Sequence, residues 1–314
     1  MSTIIESRYL GTLIGFACGD YLGEPAEYCY VPQAIKEMFG SAGVQPRAWK
    51  RRDVVYPAGF YTDDTSQMLC LAQSLLEHGF DTEDQLLKYR KWFLEGYMAA
   101  IPERGAFGVG QQTFRILIDT NYKIPTKLSN VSRAGGNGAL MRCMPVALYH
   151  LGDDESIKQH SIESAIVTHN NAIAAWSCVV INEFISWIIT ETVARDCLIT
   201  TFFEKYETDC PSDIITMLRY ISGNGTFIGN PTGYALNTLQ IALESFLTTD
   251  NFRDAITKAI FFGGDTDTQA AVTGGIAGAF YGEAAIPENW RARLSRKDLI
   301  ASTATKLFQH IDKK

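Results

Sequence analysis

The sequence has no cysteine pattern of the kind that forms disulfide bonds in small secreted proteins or binds structural zinc. Its seven cysteines are odd in number and scattered along the chain, and no Cys-x-x-Cys pair occurs. This usage argues against a disulfide framework and against a structural zinc site, and it is typical of a reducing compartment. We therefore expect a cytoplasmic protein.

The chain also lacks a basic block and an uninterrupted membrane-length apolar run. Its 28 Lys and Arg residues are outnumbered by 35 Asp and Glu, which gives a net charge of −7. A nucleic-acid polymer gripped through its phosphates is therefore not favoured as a partner. The longest apolar run, residues 170–190, carries Asn182 and Glu183 near its middle, where a bilayer would penalise them. We interpret it as a buried helix and expect no membrane partner.

Strand patterns are few, with the best near Val54–Tyr56, whereas helical periodicity dominates the chain. We interpret the first apolar stretch as a buried helix rather than a signal peptide, because Glu6 and Arg8 lie within it. No solenoid repeat and no low-complexity linker divides the sequence, so we predict one compact, all-α domain over residues 1–314. The spacing predicts helices over residues 4–18, 65–78, 82–97, 155–167, 171–190, 233–247, 252–262, 268–281 and 297–311.

Motifs of several common enzyme classes are missing. The sequence has no Gly-Lys pair, which excludes a Walker A loop, and it has no Gly-x-Ser-x-Gly elbow. No Cys–His signature indicates a nucleophilic cysteine. The Gly-rich stretch at residues 222–233 follows a predicted helix rather than a strand, so a dinucleotide-binding fingerprint is not supported.

An oxygen-rich cluster opens the second predicted helix, in the stretch FYTDDTSQML. Thr62, Asp63 and Asp64 stand together at the helix start. Helix capping, with Gln67 completing a capping box, accounts for such residues in many proteins. One cap needs only one side chain, however, and two adjacent carboxylates repel each other unless a cation lies between them. Oxygen ligands of this kind suit Mg²⁺ or Mn²⁺.

A second cluster with the same arrangement, in GGDTDTQAAVTGGIAGAFYG, supplies Asp265, Asp267 and Thr268 before another predicted helix. A phosphatase of the Asp-x-Asp-x-Thr kind is a weaker explanation, because it needs Thr or Val where Gln269 stands and a strand near residues 260–262. The four carboxylates of the two clusters would balance two divalent cations, so a dinuclear site is the arrangement that electrostatics allows.

A third stretch, RAGGNGALMRCMPVAL, places Gly135, Gly136, Asn137 and Gly138 before a predicted helix. Backbone N–H groups in such a loop can receive a phosphate, although an isolated loop of this composition can also be a simple turn.

Further polar residues lie in two short stretches. Asp20, Glu24 and Glu27 stand in GDYLGEPAEY, expected just past the first helix, and His169 stands at a helix entry in VTHNNA. Solvated glutamates and a capping or core histidine are the alternatives to a functional role.

Taken in this order, these motifs resemble the ADP-ribosylglycohydrolase family over about residues 9–290. The matching pieces are GDYLGEPAEY, YTDDTSQM, GGNGALMR-C-MPVAL, Thr168–His169, GYALNTLQIAL, the second acidic cluster with the small residues after it, and IPENW. The resemblance implies a multi-helix orthogonal bundle that holds two divalent cations, Mg²⁺ or Mn²⁺, in a cleft. It also implies hydrolysis of the glycosidic bond between ADP-ribose and an acceptor, which is an ADP-ribosylated protein or a small molecule.

The resemblance also implies roles for matching positions. Metal ligands would be Thr62, Asp63, Asp64, Asp265, Asp267 and Thr268. Gly135, Gly136, Asn137 and Gly138 would cradle the diphosphate, His169 would line the ADP-ribose pocket, and Tyr234 would stack on adenine or line its pocket. Glu27, Asp64 and Asp267 are the candidates for catalytic carboxylates, with Glu27 matching the mobile acidic residue near the reacting centre.

The chain departs from the family at FGVGQQTF, residues 107–114. Members that act on ADP-ribosylarginine commonly carry an Asp-Ile-Gly triplet here, and Gly108 stands where that Asp would be. Arginine specificity is therefore in doubt.

Two other functions stay open from the sequence. A non-catalytic binding or structural relative on the same fold is one, and the presence of every expected acidic ligand argues against it. A metal-dependent phosphohydrolase is the other, and its product would be inorganic phosphate rather than ADP-ribose.

Overall fold

A computed structural model of the protein describes residues 2–130, 133–223 and 230–312, so part of the Gly-rich stretch 222–233 lies outside the described residues. Across these ranges the regular secondary structure is helical apart from one small hairpin. The α-helices are α1 (Ser2–Gly23), α2 (Pro32–Phe39), α3 (Asp63–His78), α4 (Thr82–Glu95), α5 (Gln111–Ile118), α6 (Pro145–Tyr149), α7 (Asp154–Ile166), α8 (Ala172–Thr190), α9 (Leu198–Tyr206), α10 (Ser212–Ser222), α11 (Ala235–Leu247), α12 (Phe252–Phe261), α13 (Thr266–Tyr281), α14 (Glu288–Arg291) and α15 (Lys297–Asp312). The hairpin pairs β1 (Trp49–Arg51) with β2 (Val54–Tyr56) in antiparallel register.

The all-α prediction is confirmed, and every helix predicted from periodicity is present. The prediction for the first helix was too short: α1 continues to Gly23, so Asp20 lies in its last turns rather than beyond it. Helix α10 was predicted only as a helix without bounds before the Gly-rich stretch, and α9 was missed, because their sequences, SDIITMLRYIS and LITTFFEKY, are rich in β-branched and aromatic residues that lower helix propensity. The short helices α2, α5 and α14 were also not predicted. The single-domain assignment over residues 1–314 stays a prediction.

The apolar helix α8 runs through the protein interior, as predicted. Of the described helices it alone is long and apolar enough to cross a bilayer, and its apolar stretch is completely buried within the protein. Its polar residues have partners there: the Asn182 amide donates to Ser161 Oγ at 2.8 Å, and the Tyr206 hydroxyl donates to the Glu183 carboxylate. Each side chain is bonded through one polar atom, whereas Asn182 Oδ1 and Glu183 Oε2 are buried without a hydrogen-bond partner among the described residues.

Helices α1 and α13 pack antiparallel so closely that no side chain fits between them. Added Cβ atoms on four α1 residues would lie 2.0–2.5 Å from carbonyl oxygens of α13, closer than real Cβ atoms approach any atom. The opposed pairs are Gly11 with Gly278, Gly15 with Gly274, Gly19 with Ala270, and Gly23 with Thr266. Glycines four residues apart lie on one helix face, so this spacing makes a continuous seam.

The seam fixes the relative position of two helix ends. At its last pair, Thr266 Oγ1 donates to the Gly23 carbonyl at 2.8 Å, which ties the C-terminal turn of α1 to the first turn of α13. The acidic residues that follow α1 and those that open α13 are therefore held against one another.

Gly278→Ala tests this seam far from the acidic residues. Alanine is a better helix former than glycine by about 0.8–1.0 kcal/mol, so propensity alone would stabilise α13. We expect the opposite sign, a net loss of about 1–3 kcal/mol in the free energy of unfolding, because the added methyl would stand 1.9 Å from the Gly11 carbonyl oxygen. Urea unfolding measures it. Gly110→Ala is the control, since its Cβ would enter open space.

Candidate metal centre and active site

The two acidic clusters meet in one cleft. Thr268 Oγ1 donates to Asp64 Oδ1 at 3.4 Å across 204 residues of sequence. The cleft is lined by Asp63 and Asp64 from the first turn of α3, and by Asp265, Asp267 and Thr268 from the start of α13. Both helices direct their N-termini, which carry partial positive charge, towards these carboxylates.

Buried carboxylate oxygens in this cleft have no hydrogen-bond partner. Asp64 Oδ2 and Asp267 Oδ1 are both buried and unpaired. Burial, and then the charges of neighbouring carboxylates, raise the pKa values of Asp63, Asp64 and Asp267 well above their ordinary range. Such an arrangement is costly in a protein interior unless a cation compensates it. Clustered carboxylate and hydroxyl oxygens are the donors that Mg²⁺ and Mn²⁺ prefer, so the residues present fit a divalent cation.

Thr62 acts as the N-cap of α3. Its hydroxyl oxygen accepts a hydrogen bond from the Asp64 N–H at 3.3 Å. The residue is buried and is not among those that line the cleft. The capping explanation thus holds for this threonine, while the two aspartates after it face the cleft.

The capping-box alternative for Gln67 is not what the structure shows, because this side chain hydrogen-bonds to other partners. Its amide nitrogen donates to Asp63 Oδ2 at 3.3 Å, and its carbonyl oxygen accepts from Arg142 Nη1 at 2.9 Å. Gln67 therefore links an acidic residue of the cleft to a buried arginine.

That arginine extends the network to the histidine that the sequence singled out. Arg142 Nη2 donates to Thr168 Oγ1 at 2.5 Å, and Thr168 Oγ1 lies 2.8 Å from His169 Nδ1. Burial, with Arg142 nearby, lowers the pKa of His169 to about 3, so its ring is neutral at physiological pH. The ring packs against Gly138, where a Cβ would lie 2.6 Å from the imidazole Cε1. Sequence analysis missed Arg142, which carries no pattern that marks it as buried.

The Gly-rich loop at residues 135–138 is braced rather than open. The Asn137 N–H donates to the Gly233 carbonyl at 2.9 Å, so this N–H is not available to a phosphate. The loop also leads into a 3-10 turn, Leu140–Arg142, and not directly into the α-helix that the sequence predicted. The amide of Asn137 donates to Asp265 Oδ2 at 2.6 Å, which joins this loop to the acidic cleft.

Tyr234 lies beside the same loop. An added Cβ at Gly135 would stand 2.8 Å from the tyrosine Cε2, so the ring packs directly on the glycine. The Tyr234 side chain is partly open to solvent. Of the predicted substrate-binding residues, Gly136, Asn137, Gly138 and His169 line the cleft, whereas Gly135 and Tyr234 pack beside this loop without lining it.

Asp20 is a site residue that the sequence analysis mentioned without assigning a role. Its fully buried carboxylate accepts from the Thr62 N–H at 3.0 Å, the Thr65 N–H at 3.0 Å and the Thr65 hydroxyl at 2.6 Å. Burial raises the pKa of Asp20 to about 6, although these hydrogen bonds oppose the rise. The last turns of α1 thereby fix the first turn of α3, from which Asp63 and Asp64 project.

Two glutamates and an arginine border the cleft on another side. Carboxylate oxygens of Glu24, Glu27 and Asp267 lie within 4.8 Å of one another. Arg51, at the end of β1, places Nη1 3.1 Å from Glu27 Oε2 and 3.4 Å from Glu24 Oε1. Burial, and then the charge of Glu27, raise the pKa of Glu24 to about 9. Sequence analysis left Glu24 unassigned and missed Arg51.

The glycine pair before Asp265 lets separate chain segments approach the cleft. Gly263 and Gly264 have φ angles of +78° and +77°, which favour glycine. A Cβ at Gly264 would lie 1.6 Å from the Pro231 carbonyl oxygen, and the Gly264 carbonyl accepts from the Tyr28 N–H at 2.7 Å. The chain therefore turns sharply at this glycine pair, directly before Asp265.

Comparison with known proteins matches residues 1–314 to the ADP-ribosylglycohydrolase family. The ADP-ribosyl-[dinitrogen reductase] glycohydrolase of Rhodospirillum rubrum is 25% identical over 93% of this chain and 92% of its own. The ADP-ribosylarginine hydrolase Tri1 of Serratia proteamaculans is 27% identical, with 95% and 78% covered, and the ADP-ribosylhydrolase ARH3 of Gallus gallus is 26% identical, with 90% and 88% covered.

Solved structures agree with the sequence comparisons. A chain described as an ADP-ribosylglycohydrolase-related protein complex superimposes with a TM-score of 0.80 and 28% sequence identity. The match covers 98% of this chain and 99% of the other.

Asp20→Asn tests the anchoring of α3. The amide would set an N–H₂ group against backbone N–H donors and remove charge-assisted hydrogen bonds, so we expect a loss of about 1.5–3 kcal/mol in unfolding free energy. Asp53→Asn is the matched control, because that carboxylate is fully exposed on the hairpin. Urea unfolding of both variants checks this, and equal losses would contradict the anchoring role.

In the cation-free protein, the free energy of unfolding should depend on pH. Because Asp63, Asp64 and Asp267 have folded pKa values above the ordinary 3.8, the folded cation-free protein binds more protons than the unfolded chain above that pH. The stability contribution of these groups is therefore complete below their ordinary pKa and is lost as pH rises through the raised values.

Thermal melts with chelator and with Mn²⁺ measure this coupling. We expect the rise in melting temperature on adding Mn²⁺ to be larger at about pH 8 than at about pH 5, since a cation binds the deprotonated carboxylates. A Mn²⁺ effect of the same size at both pH values would count against a carboxylate site.

Proposed function

This chain belongs to the ADP-ribosylglycohydrolase family, and we propose that it hydrolyses the glycosidic bond between ADP-ribose and an acceptor, in the cytoplasm, with divalent cations bound in its acidic cleft. The acceptor would be an ADP-ribosylated protein side chain or a small molecule. The proposal rests on the hydrogen bond between Thr268 and Asp64. This contact brings the two acidic clusters, which are distant in sequence, together around carboxylate oxygens that lack hydrogen-bond partners.

The cation-binding residues would be Asp63 and Asp64 on α3 and Asp265, Asp267 and Thr268 on α13. Thr62, which the resemblance implies as a further ligand, caps α3 and would act by fixing the backbone of Asp64. Bound there, two Mg²⁺ or Mn²⁺ ions would supply electrostatic attraction for the hydroxyl groups of the terminal ribose and for an attacking water.

The ADP part of the substrate would lie towards the Gly-rich loop. This end of the cleft holds Gly136, Asn137 and Gly138, with the neutral His169 behind them. A neutral ring can accept or donate a hydrogen bond to the substrate without adding charge. Tyr234, half-open to solvent on the same side, would pack against the adenine.

The reaction replaces one bond at the anomeric carbon of the ribose. The bond from this carbon to the acceptor breaks, water forms the new bond, and the acceptor leaves with a proton. Positive charge develops on the sugar as in other glycoside hydrolyses, and the surrounding carboxylates stabilise it. Glu27 is the first candidate to take the proton from water, because it lines the cleft with its carboxylate within 4.8 Å of Asp267 and is not among the proposed cation ligands. Asp64 and Asp267 are the other candidates.

The competing functions have less support. A non-catalytic relative has no need of buried carboxylates that lie close together and lack hydrogen-bond partners, because such groups destabilise the fold. The Asp-x-Asp-x-Thr phosphatase arrangement requires a strand before its aspartates, and helix α12 lies there instead.

Release of ADP-ribose is the activity to measure. A panel of ADP-ribosylated acceptors is incubated with Mn²⁺ or Mg²⁺, with and without chelator, and products are separated by chromatography. We expect free ADP-ribose, no inorganic phosphate, and loss of activity with chelator. Asp267→Asn should lower kcat by at least about 10²-fold, since it removes a preorganised charge at the reacting centre. Asp254→Asn on the outer end of α12 is the control.

Glu27→Gln separates the role of Glu27 from cation binding. We expect cation affinity close to wild type and kcat lower by about 10²–10⁴-fold if Glu27 moves the proton. Retained binding with full turnover would exclude Glu27 and leave Asp64 and Asp267. Phosphate release without ADP-ribose would refute the proposed function.

A further inference from the structure

We propose that Arg51 determines acceptor specificity: its guanidinium, paired with Glu27 at the border of the cleft, excludes acceptors that bear a guanidinium, so that uncharged, hydroxyl-linked acceptors are preferred. The inference rests on the proposed function and names the substrate class of the same site.

The surroundings of Arg51 are those of a bound guanidinium ligand. Two carboxylates accept from it, Glu27 at 3.1 Å and Glu24 at 3.4 Å. Its guanidinium carbon lies 5.8 Å from the centroid of the Tyr28 ring and 5.4 Å from that of Phe107. Carboxylates and aromatic rings are the groups that recognise a guanidinium from another molecule. Here the chain itself supplies the cation.

This guanidinium stands beside the reacting centre. Glu27 lines the cleft, and its carboxylate lies within 4.8 Å of Asp267. Phe107, which packs against Arg51, is followed directly by Gly108, whose Cβ position would be 2.3 Å from Asp63 Oδ1. Arg51 is therefore one side chain away from Asp267, through Glu27.

The backbone at Gly108 disfavours a residue with a carboxylate side chain at this position. Its φ angle is +92°, a conformation that residues with side chains rarely adopt, and a Cβ would collide with Asp63. An Asp at this position, as in arginine-acting relatives, would therefore be strained and would have to displace the Asp63 side chain.

No free acidic residue remains for a cationic acceptor. Among the described residues that line the cleft, the acidic ones are Asp63, Asp64, Asp265, Asp267 and Glu27. The four aspartates are the proposed cation ligands, and Glu27 is paired with Arg51.

Charge then selects the acceptor. An arginine side chain entering this end would meet a like charge and would find both glutamates occupied, and each effect weakens its binding. A hydroxyl acceptor such as serine carries no charge and meets neither penalty.

The test compares two peptides of one sequence, ADP-ribosylated on serine or on arginine, with Mn²⁺ present. We expect wild-type protein to have the higher kcat/KM on the serine peptide. Arg51→Gln should shift the arginine-to-serine ratio of kcat/KM by at least tenfold towards arginine, mainly through a lower KM for the arginine peptide. Arg52→Gln is the matched control, because it removes the same charge from the neighbouring residue, and its ratio should stay at the wild-type value.

A binding measurement supplies a readout independent of turnover. Methylguanidinium is titrated into the ADP-ribose-bound protein by calorimetry. Wild-type protein should show no binding, and Arg51→Gln should gain it, while affinity for ADP-ribose stays unchanged. Arg51→Lys keeps the charge and should keep the exclusion. Arg51→Met also removes the charge and should gain binding, and it serves as the second variant if Arg51→Gln fails to fold.

The outcomes separate the two proposals. ADP-ribose release with a wild-type preference for arginine, or with a ratio that Arg51→Gln leaves unchanged, overturns the role of Arg51 and leaves the proposed function standing. No release from either peptide counts against the proposed function. In that case the role of Arg51 is decided by methylguanidinium, and failure of Arg51→Gln to gain binding overturns it.

Discussion

The close approach of α1 and α13 is the constraint on which the rest of the site depends. The backbones meet where Gly11, Gly15, Gly19 and Gly23 oppose small residues or carbonyl groups of α13. A seam without side chains leaves the helices little freedom to slide, because interiors pack at near-crystal density. Its last pair lies at the edge of the cleft, so Asp20 on one helix and Asp267 on the other are positioned by the same contact.

Holding these carboxylates in fixed positions is electrostatically unfavourable. Asp63, Asp64 and Asp267 are desolvated and repel one another, which raises their pKa values. Two helix N-termini and the hydrogen bonds to Asp20 hold the carboxylates in place nevertheless. A rigid frame that keeps like charges together is what a divalent cation site requires, because the ligands need not rearrange when the ion binds.

Much of the fold followed from the sequence, and so did the candidate residues. Long helices with clear periodicity, such as α3 and α13, were predicted within a few residues. Individual hydrogen bonds could not be predicted in the same way. The spacing of Gln67 suggests a capping partner, but its side-chain carbonyl oxygen accepts a hydrogen bond from Arg142, a buried residue distant in sequence. Arg51 could not be assigned from its hairpin, because only the tertiary fold brings it to Glu27. The four-residue glycine spacing of α1 was a usable signal that sequence analysis passed over.

The central claim is that two clusters, separated by about two hundred residues, form one cation site. Crystals grown with Mn²⁺ and ADP-ribose, with data collected at the manganese absorption edge, test it most directly. We predict anomalous peaks between the Asp63–Asp64 and Asp265–Asp267 carboxylates, beside the terminal ribose. Bound ADP-ribose with no anomalous peak between these carboxylates would contradict the account.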